Sequence, residues 1–457
     1  MNARSNSNAV NDVASLIHPY TNLARHPEAG PVVMTRGDGV YVEDEHGRRY
    51  IEGMSGLWCA SLGFSEKRLV EAATRQLETL PYYHLFNHRS VEPSIELAER
   101  LLDIAPAGLG KVLFANSGSE ANDQAIKLVW YYNNARGRPE KKKIISRWRG
   151  YHGVTIASGS LTGLPANHAD FDLPIANILH TDMPSHFHNA KPGESVADFT
   201  RRMVDNLEQL ILREGPDTIA AFIAEPVCGS GGVIVPPEGY FAGIQAVLRK
   251  YDILFIADEV ICGFGRTGNM FGCDTYDLKP DIMTMAKALS ASYLPISATI
   301  VSDDIHEAMM EQSRKHGGFA HGVTYSGHPV CAAVAVETLK IYEDRNIIGH
   351  VQEVSTRFLE RLHALAERPY IGEARGVGLI GAVELVTDKA SRTPFAPALG
   401  IGPGIQAKAM ENGVIVRALR DVIAFCPPLI IDRQQIDMMF DGVEKALDAM
   451  EPSMQAN

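Results

Sequence analysis

The chain has 457 residues, of which 45% are hydrophobic, so it is long enough to bury a large core in two or three lobes. Its formal net charge of -12, from 55 acidic and 43 basic residues, disfavours contact with a phosphate backbone and so argues against a nucleic-acid partner. The first fifteen residues lack the apolar core of a signal peptide, and no hydrophobic run reaches membrane-spanning length. Six cysteines without a C-x-x-C pair fit a reducing compartment, and we expect a cytoplasmic protein.

The predicted elements begin with a small β hairpin between residues 39 and 51, where apolar residues flank a polar turn. A helical pattern follows from about residue 66 and stops at Pro81. Short apolar runs then alternate with helical segments, which indicates an α/β domain with a mainly parallel sheet. The predicted strands are Val112 to Ala115, Ile144 to Trp148, Ile219 to Ala224, Leu254 to Ala257, Ile282 to Ala286 and Ala298 to Val301.

The pattern changes at about residue 331, where long helices replace the strand and helix alternation. A short strand region is predicted from Gly378 to Leu385, and two further helical stretches follow it. We therefore predict an N-terminal part of a small domain at 1–59, a large domain at 60–330 and a C-terminal small domain at 331–457.

The segment from Asn116 to Glu120 follows a predicted strand and opens a helix. Ser117 and Glu120 have the spacing of a capping box, which places Gly118 and Ser119 in the first helical turn. Backbone N–H groups there have no helical partner and lie at the positive end of the helix dipole, so a phosphate is a suitable ligand. Taken alone, the segment is better explained as an ordinary capped helix.

An acidic pair, Asp258 and Glu259, ends another strand that is predicted to be buried. Alternation along a strand sends the two side chains to opposite faces, so one carboxylate needs a partner of its own. A buried carboxylate is costly unless a positive group such as a protonated pyridine nitrogen meets it. A carboxylate that caps a neighbouring loop is the ordinary alternative.

Lys287 follows the next predicted strand, at the sheet edge where α/β proteins form ligand sites. A lysine there can form an imine with an aldehyde and can also act as a general base. The alternative is a lysine that extends from the sheet edge into solvent. Together the three segments supply a phosphate cradle, a carboxylate for a ring nitrogen and an imine-forming amine, which are the groups that pyridoxal phosphate (PLP) requires.

The chain resembles the class III aminotransferases of PLP fold type I, and within them the omega-transaminase or amine:pyruvate group. The resemblance covers nearly the whole chain and implies a large α/β domain with a mainly parallel central sheet, plus a smaller α+β domain from both chain ends. The motifs that carry it are residues 53–59, 116–120, 151–153, 225–227, 257–268, 321–329 and Lys287.

The resemblance implies a role for each cofactor-binding residue. Gly118 and Ser119 would hold the cofactor phosphate, and Thr324 would reach the same phosphate from a partner subunit. Asp258 would bind the ring nitrogen, and Lys287 would be the catalytic Schiff-base lysine. Three further positions of the motifs also border the cofactor. Tyr151 and Val260 would cover the two ring faces, and Glu225 would brace the cofactor surroundings.

Arg417 is similar to the mobile arginine that pairs with a keto-acid carboxylate and moves away for an amine that lacks one. A guanidinium suits this task because it forms two parallel hydrogen bonds with a carboxylate. Arg420 lies close enough in sequence to take the same role. The residues that the resemblance places against the substrate, with Tyr151 among them, are Trp58, Phe86, Leu57 and Tyr20.

Two other patterns are set aside. Residues 376–381 satisfy G-x-G-x-x-G, but a dinucleotide site needs a strand before the motif and a helix after it, whereas here a strand follows. His180, His186, His188 and Asp182 share a stretch with loop-forming residues, so we expect solvated histidines and no metal site.

The expected reaction moves an amino group from a primary amine or ω-amino acid to pyruvate in two half-reactions, through pyridoxamine phosphate. The expected partners are an amine donor, a keto acid and a second copy of the chain, in a homodimer or a dimer of dimers. A decarboxylase, an aminomutase or a catalytically silent PLP-binding scaffold would share the cofactor residues. The sequence leaves open whether the amine is β-alanine, taurine, a diamine or an aryl-alkyl amine.

Overall fold

The computed structural model of the protein describes residues 7–455. The first six residues of the predicted N-terminal part and the last two of the predicted C-terminal part lie outside the described residues. Within 7–455, no helix combines the length and the apolar character that crossing a membrane requires.

Fifteen strands and sixteen α-helices make up the described part of the chain. The strands are β1 Met34–Asp38, β2 Tyr41–Asp44, β3 Arg49–Glu52, β4 Leu109–Ala115, β5 Lys143–Arg147, β6 Ile178–Thr181, β7 Ile219–Ala224, β8 Leu254–Asp258, β9 Ile282–Met285, β10 Ser297–Ser302, β11 Ile371–Val377, β12 Ile380–Leu385, β13 Val414–Ile415, β14 Arg417–Leu419 and β15 Val422–Phe425. The helices are α1 Asn8–Ser15, α2 His26–Ala29, α3 Ser55–Trp58, α4 Lys67–Thr79, α5 Glu92–Ile104, α6 Gly118–Ala135, α7 Ile156–Leu161, α8 His186–Asn189, α9 Val196–Glu214, α10 Tyr240–Lys250, α11 Gly272–Tyr276, α12 Asp303–His316, α13 Pro329–Asp344, α14 Ile347–Ala364, α15 Ile401–Glu411 and α16 Arg433–Gln455.

The central sheet has seven strands in the order β4-β10-β9-β8-β7-β5-β6. β6, β5, β7, β8 and β9 pair in parallel, and β10 runs antiparallel to both of its neighbours. Every residue of β7 is buried, as expected for a strand covered on both faces. The predicted α/β fold with a mainly parallel sheet is confirmed.

The predicted strands match the sheet to within a few residues, but the edge strand β6 was missed. Its sequence, Ile-Leu-His-Thr, lies between turn-forming residues and is too short and polar to stand out. The same region held the predicted loop around His180, so that part of the prediction was wrong.

Both chain ends meet beside the central sheet. β13 pairs in parallel with β3 and completes a four-stranded sheet with β1 and β2. A third sheet has the order β11-β12-β15-β14. The G-x-G-x-x-G stretch spans the hairpin between β11 and β12, which agrees with its rejection as a dinucleotide motif. The exact domain boundaries stay a prediction.

Candidate active site

One cavity of about 850 Å³ opens at the carboxyl ends of β7, β8 and β9. Ligands of parallel α/β sheets bind at this edge. The residues of the predicted site that line it are Lys287, Asp258, Gly118, Ser119, Tyr151, Glu225, Val260, Trp58, Leu57, Tyr20, Arg417 and Arg420. Residues far apart in sequence are therefore brought together as the sequence analysis required.

Lys287 begins a short turn one residue after β9, and its side chain lines the cavity. Among residues 7–455, no carboxylate forms an ion pair with its amine. Burial lowers the pKa of Lys287, an effect that the charges of Asp258 and Glu225 partly oppose. A lowered pKa increases the fraction of neutral amine, which is the form that attacks a carbonyl carbon.

Asp258, at the end of β8, is 2% exposed and is held by polar groups from α6 and from the loops after β5 and β8. Asn122 donates from Nδ2 to Oδ2 over 2.8 Å, and the backbone N–H of Val260 donates to Oδ1 over 3.1 Å. His152 Nδ1 lies 2.8 Å from Oδ2. Thr284 donates to Asn122 Oδ1 over 2.8 Å and so fixes the amide that faces the carboxylate. The carboxylate is thereby directed into the cavity.

The neighbouring Glu259 points away from the cavity, as strand alternation predicts. It accepts hydrogen bonds from the backbone N–H groups of Gly272 and Cys273, at 3.0 Å and 2.6 Å. Burial raises its pKa to about 7. Asp258 alone of this pair is available to a ligand in the cavity.

The predicted phosphate cradle lies at the start of α6. Ser117 caps the helix by accepting a hydrogen bond from the Glu120 N–H over 3.2 Å, while Glu120 Oε2 accepts one from the Asn116 N–H over 2.9 Å. A Cβ at Gly118 would lie 3.0 Å from Val260, so a side chain there would close the cradle. Ser119 Oγ accepts from the Val154 N–H over 3.1 Å, which joins the cradle to the loop after β5.

Gly153 in that loop has a φ of 136°. A Cβ at this position would collide with the hydroxyls of Ser119 and Ser158. The glycine is therefore required by the close approach of the loop to the helix start.

Tyr151 and Glu225, which also line the cavity, are joined by a hydrogen bond. Glu225 Oε1 accepts from the Tyr151 N–H over 2.9 Å, and Oε2 accepts from the Gly229 N–H over 3.0 Å. Burial raises the pKa of Glu225. The pKa of Tyr151 is raised as well, by burial first and then by Tyr20, so its hydroxyl stays protonated at neutral pH.

Several cavity residues have a left-handed backbone, which is unusual outside glycine and is often found at functional sites. The residues and their φ angles are Tyr20 at 52°, Trp58 at 64°, Arg149 at 66°, Lys287 at 49° and Arg420 at 61°. Trp58 is 2% exposed, and its indole N–H has no acceptor in the described part of the chain.

Phe86 and Thr324 do not line this cavity within their own chain. Phe86 borders a second cavity, where its ring lies 3.1 Å from the position of a Cβ on Gly322. Thr324 is exposed, and its carbonyl accepts from the Tyr82 hydroxyl over 3.1 Å. Phe86 therefore lies outside the cavity of its own chain, where the segment after α4 packs against residues 319–326, and its assignment as a substrate-binding residue stays a prediction. The role of Thr324 in a partner's site stays a prediction.

Three residues of the site were missed: Asn122, His152 and Thr284. Asn122 lies one helical turn after Ser119, and His152 follows Tyr151 directly, so both adjoin residues that the sequence did indicate. Their function depends on contacts between distant segments, and the sequence alone contains no signal for these contacts.

The histidines around residue 180 differ in exposure: His188 is exposed, as expected, whereas His180 and His186 are partly buried. His180 stacks on Trp148 at 4.5 Å, and burial lowers its pKa to about 4. His188 Nε2 lies 2.9 Å from Glu384. Among the described residues, the histidines and acid whose polar atoms converge are Asp12, His18 and His26, with those atoms within 4.8 Å of one another.

The fold and the cavity define a class of protein: an α/β enzyme with a lysine that forms no ion pair among the described residues, a directed carboxylate and an anion cradle at one sheet edge. The family model described as "Aminotransferase class-III" matches residues 23–447. The chain belongs to the class III aminotransferases, and it uses PLP.

Similar proteins agree with this membership. A "gamma aminobutyrate transaminase 3, chloroplastic" from Solanum lycopersicum is 52% identical over 94% of this chain and 83% of its own length. The omega transaminase from Pseudomonas jessenii, solved in complex with PMP, is 51% identical with a TM-score of 0.97, over 99% of this chain and all of the solved chain. A structure described as "Transaminase with L-ala" is 56% identical with a TM-score of 0.91, over 93% and 100% of the two chains.

The residues present fit the cofactor. The glycine cradle at Gly118 leaves space that a side chain would fill, and the first turn of α6 offers N–H groups to a phosphate. Asp258, at the end of β8, and Lys287, just after the adjacent strand β9, line the same cavity as that turn.

Proposed function

We propose that the chain transfers an amino group from a primary amine or an ω-amino acid to pyruvate, in two half-reactions that alternate the cofactor between PLP and pyridoxamine phosphate. The observation that carries this proposal is the common cavity of Lys287, Asp258 and Arg417, with apolar side chains beside them. An amine, a carboxylate and an aliphatic or aromatic group would each find a matching surface there.

Bound PLP supplies an aldehyde that accepts the amino group and a ring that withdraws electrons from the reacting carbon. Gly118 and Ser119 would hold its phosphate, and Val260 and Tyr151 would cover the ring. Asp258 would keep a proton on the ring nitrogen. Lys287 Nζ in its neutral form, whose share is increased because burial lowers the pKa of the amine, would remove the proton from the substrate carbon and return it in the opposite half-reaction.

Arg417 is proposed to bind the carboxylate of the keto acid. Burial lowers its pKa, an effect that Tyr151 and Tyr20 oppose. Arginine remains charged at any physiological pH even after such a shift, so the partly desolvated guanidinium favours a carboxylate partner. The structure of a similar transaminase with L-alanine supports pyruvate as the acceptor, because alanine is the product that pyruvate gives.

A homodimer is proposed because Phe86 and Thr324 share one face of the chain outside the cavity. The two segments that carry them are in contact through Phe86 and Gly322. Such a surface can complete the site of a second copy, which a dimer or a dimer of dimers allows.

The cytoplasmic location is also proposed. All six cysteines are unpaired, which supports a reducing compartment. Several curated relatives carry the words mitochondrial or chloroplastic in their names, so cell fractionation is the direct test.

The proposed reaction is tested by incubating the holoenzyme with a primary amine and pyruvate and measuring alanine by chromatography. Alanine formed in equal amount to the aldehyde or ketone product is expected, and Lys287→Ala provides the inactive control. Glutamate formed from 2-oxoglutarate in the absence of any alanine from pyruvate would contradict the proposed acceptor.

A further inference from the structure

Two arginines that the proposed reaction does not use, Arg149 and Arg420, line the cavity together with Ser230. Arg420 is exposed and Arg149 is partly buried, so the pair belongs to the open end of the cavity. With Lys287 and Arg417, four lysine and arginine side chains line the cavity. The carboxylates that line it are those of Asp258 and Glu225.

Arg420 occupies a position that normally requires glycine. It is the first of two residues in the tight turn between β14 and β15, where Leu419 pairs with Val422. Its φ of 61° gives this turn the geometry in which glycine is strongly favoured. Asp421, the other turn residue, accepts a hydrogen bond from the Gly402 N–H over 3.1 Å and forms no ion pair with Arg420 among the described residues.

Arg149 also has a left-handed backbone, with a φ of 66°. The Arg149 N–H donates to the Gly163 carbonyl over 2.9 Å, and the segment around Gly231 packs against the Arg149 carbonyl. The backbone is thereby fixed in a conformation that arginine disfavours. At Arg149 and Arg420 alike, a strained backbone directs a guanidinium toward the same cavity.

The two guanidinium groups have no acidic partner in the described part of the chain. Burial lowers the pKa of Arg149, and the positive charge of Arg420 lowers it further. Glu384 opposes this shift, but its carboxylate is already bound to Arg375 over 2.8 Å and lies 2.9 Å from His188 Nε2. Two repelling cations without a counter-charge form a site that a bound anion would stabilise.

We infer that Arg149 and Arg420 form a second carboxylate site, which binds the distal carboxylate of an ω-amino acid donor, while Arg417 serves the carboxylate of the keto acid. This inference rests on the proposed amine:pyruvate reaction. An ω-amino acid places its reacting amine at Lys287 and its charged end away from the cofactor, toward the open end where the pair lies. Uncharged amines gain nothing from the pair.

The test compares donors that differ only in the distal carboxylate. Steady-state kinetics with pyruvate are measured for 4-aminobutanoate and butan-1-amine, and for 6-aminohexanoate and hexan-1-amine. Arg420→Asn and Arg149→Asn remove the charge and keep a residue that tolerates the left-handed backbone. Arg392→Asn is the matched control, because Arg392 is an exposed arginine with a φ of 56° outside the cavity.

For each cavity variant, KM for at least one ω-amino acid is expected to rise about 10-fold more than KM for the matching alkylamine, which is the effect of losing one charge-assisted hydrogen bond. Arg392→Asn is expected to leave the ratio of KM for the ω-amino acid to KM for the matching alkylamine unchanged at both chain lengths. Equal changes for charged and uncharged donors at both chain lengths would overturn the inference, while alanine formation by the wild type would leave the proposed function standing. A wild type that forms no alanine from any of the four amines would contradict both.

Discussion

At Asp258, polar groups from α6 and two loops converge on one buried carboxylate. Replacing Asp258 with Asn keeps the shape and removes the charge that would hold a proton on the cofactor ring nitrogen. We expect kcat to fall by about 100-fold or more, the range seen when one preorganised electrostatic contact is removed. Single-turnover kinetics with a saturating amine measure this effect.

Glu259→Gln is the matched control for Asp258→Asn. Glu259 is the next residue, is equally buried and binds Gly272 and Cys273 away from the cavity. Its kcat should stay close to that of the wild type. A loss of kcat in Glu259→Gln as large as that in Asp258→Asn would show that the rate depends on strand integrity and not on the ring-nitrogen contact.

The residues most visible in the sequence were those whose chemistry conflicts with their surroundings. A lysine and a carboxylate at the ends of apolar strands are costly to bury, so Lys287 and Asp258 stood out. Asn122 and Thr284 did not stand out, because an amide and a hydroxyl are common in helices and strands. Their importance arises only when α6, β8 and β9 come together.

At the scale of elements, the turn from β3 into α3 places Leu57 and Trp58 on the cavity. Glu52 at the end of β3 accepts hydrogen bonds from the backbone N–H groups of Met54 and Gly56 in this turn. Burial raises the pKa of Glu52 to about 8 from an ordinary value of 4.5. Between pH 4.5 and about 8, Glu52 is therefore protonated in the folded state and ionised in the unfolded chain.

The free energy of unfolding should therefore fall as pH rises from about 4.5 to 8, by up to about 1.4 kcal/mol per pH unit from this group. Glu52→Gln removes this dependence. We expect the melting temperature of Glu52→Gln, relative to the wild type, to increase from pH 5 to pH 8. Exposed Glu45→Gln is the control, and a difference that does not vary with pH would contradict the shift.

The segment from α1 to α2 is closed by a small polar cluster. Asp12 Oδ1 lies 2.8 Å from His18 Nε2 and 3.2 Å from His26 Nε2, and the enclosed segment carries Tyr20 to the cavity. Asp12→Ala should loosen this segment, so trypsin should cleave faster after Arg25, as measured by mass spectrometry. Glu45→Ala is the control, and an unchanged cleavage rate in Asp12→Ala would contradict the role of the cluster.

The elements were predictable where one property dominates. β7 is a continuous apolar run, and the predicted strand from Ile219 to Ala224 has the same bounds as the observed one. β1, with the sequence Met-Thr-Arg-Gly-Asp, is exposed throughout and exists because it pairs with β2. Such a strand depends on tertiary contacts more than on its own residues, so local pattern reasoning missed it.

At the scale of the whole molecule, the proposed dimer predicts sites built from two chains. Lys287→Ala and Thr324→Glu should each be inactive alone, the second because a negative charge would face the cofactor phosphate of the partner. A mixed dimer has one site with both changes and one with neither. Co-expression should therefore restore a substantial fraction of activity. Mixed dimers that are detected by native mass spectrometry but show no activity would contradict the shared site.

The central claim is that Lys287 carries the cofactor in the resting enzyme. Borohydride reduction of the holoenzyme followed by peptide mapping tests it directly. The predicted result is a stable phosphopyridoxyl group on the peptide that contains Lys287 and its absence from every other lysine peptide. An unmodified Lys287 in protein saturated with PLP would contradict the account.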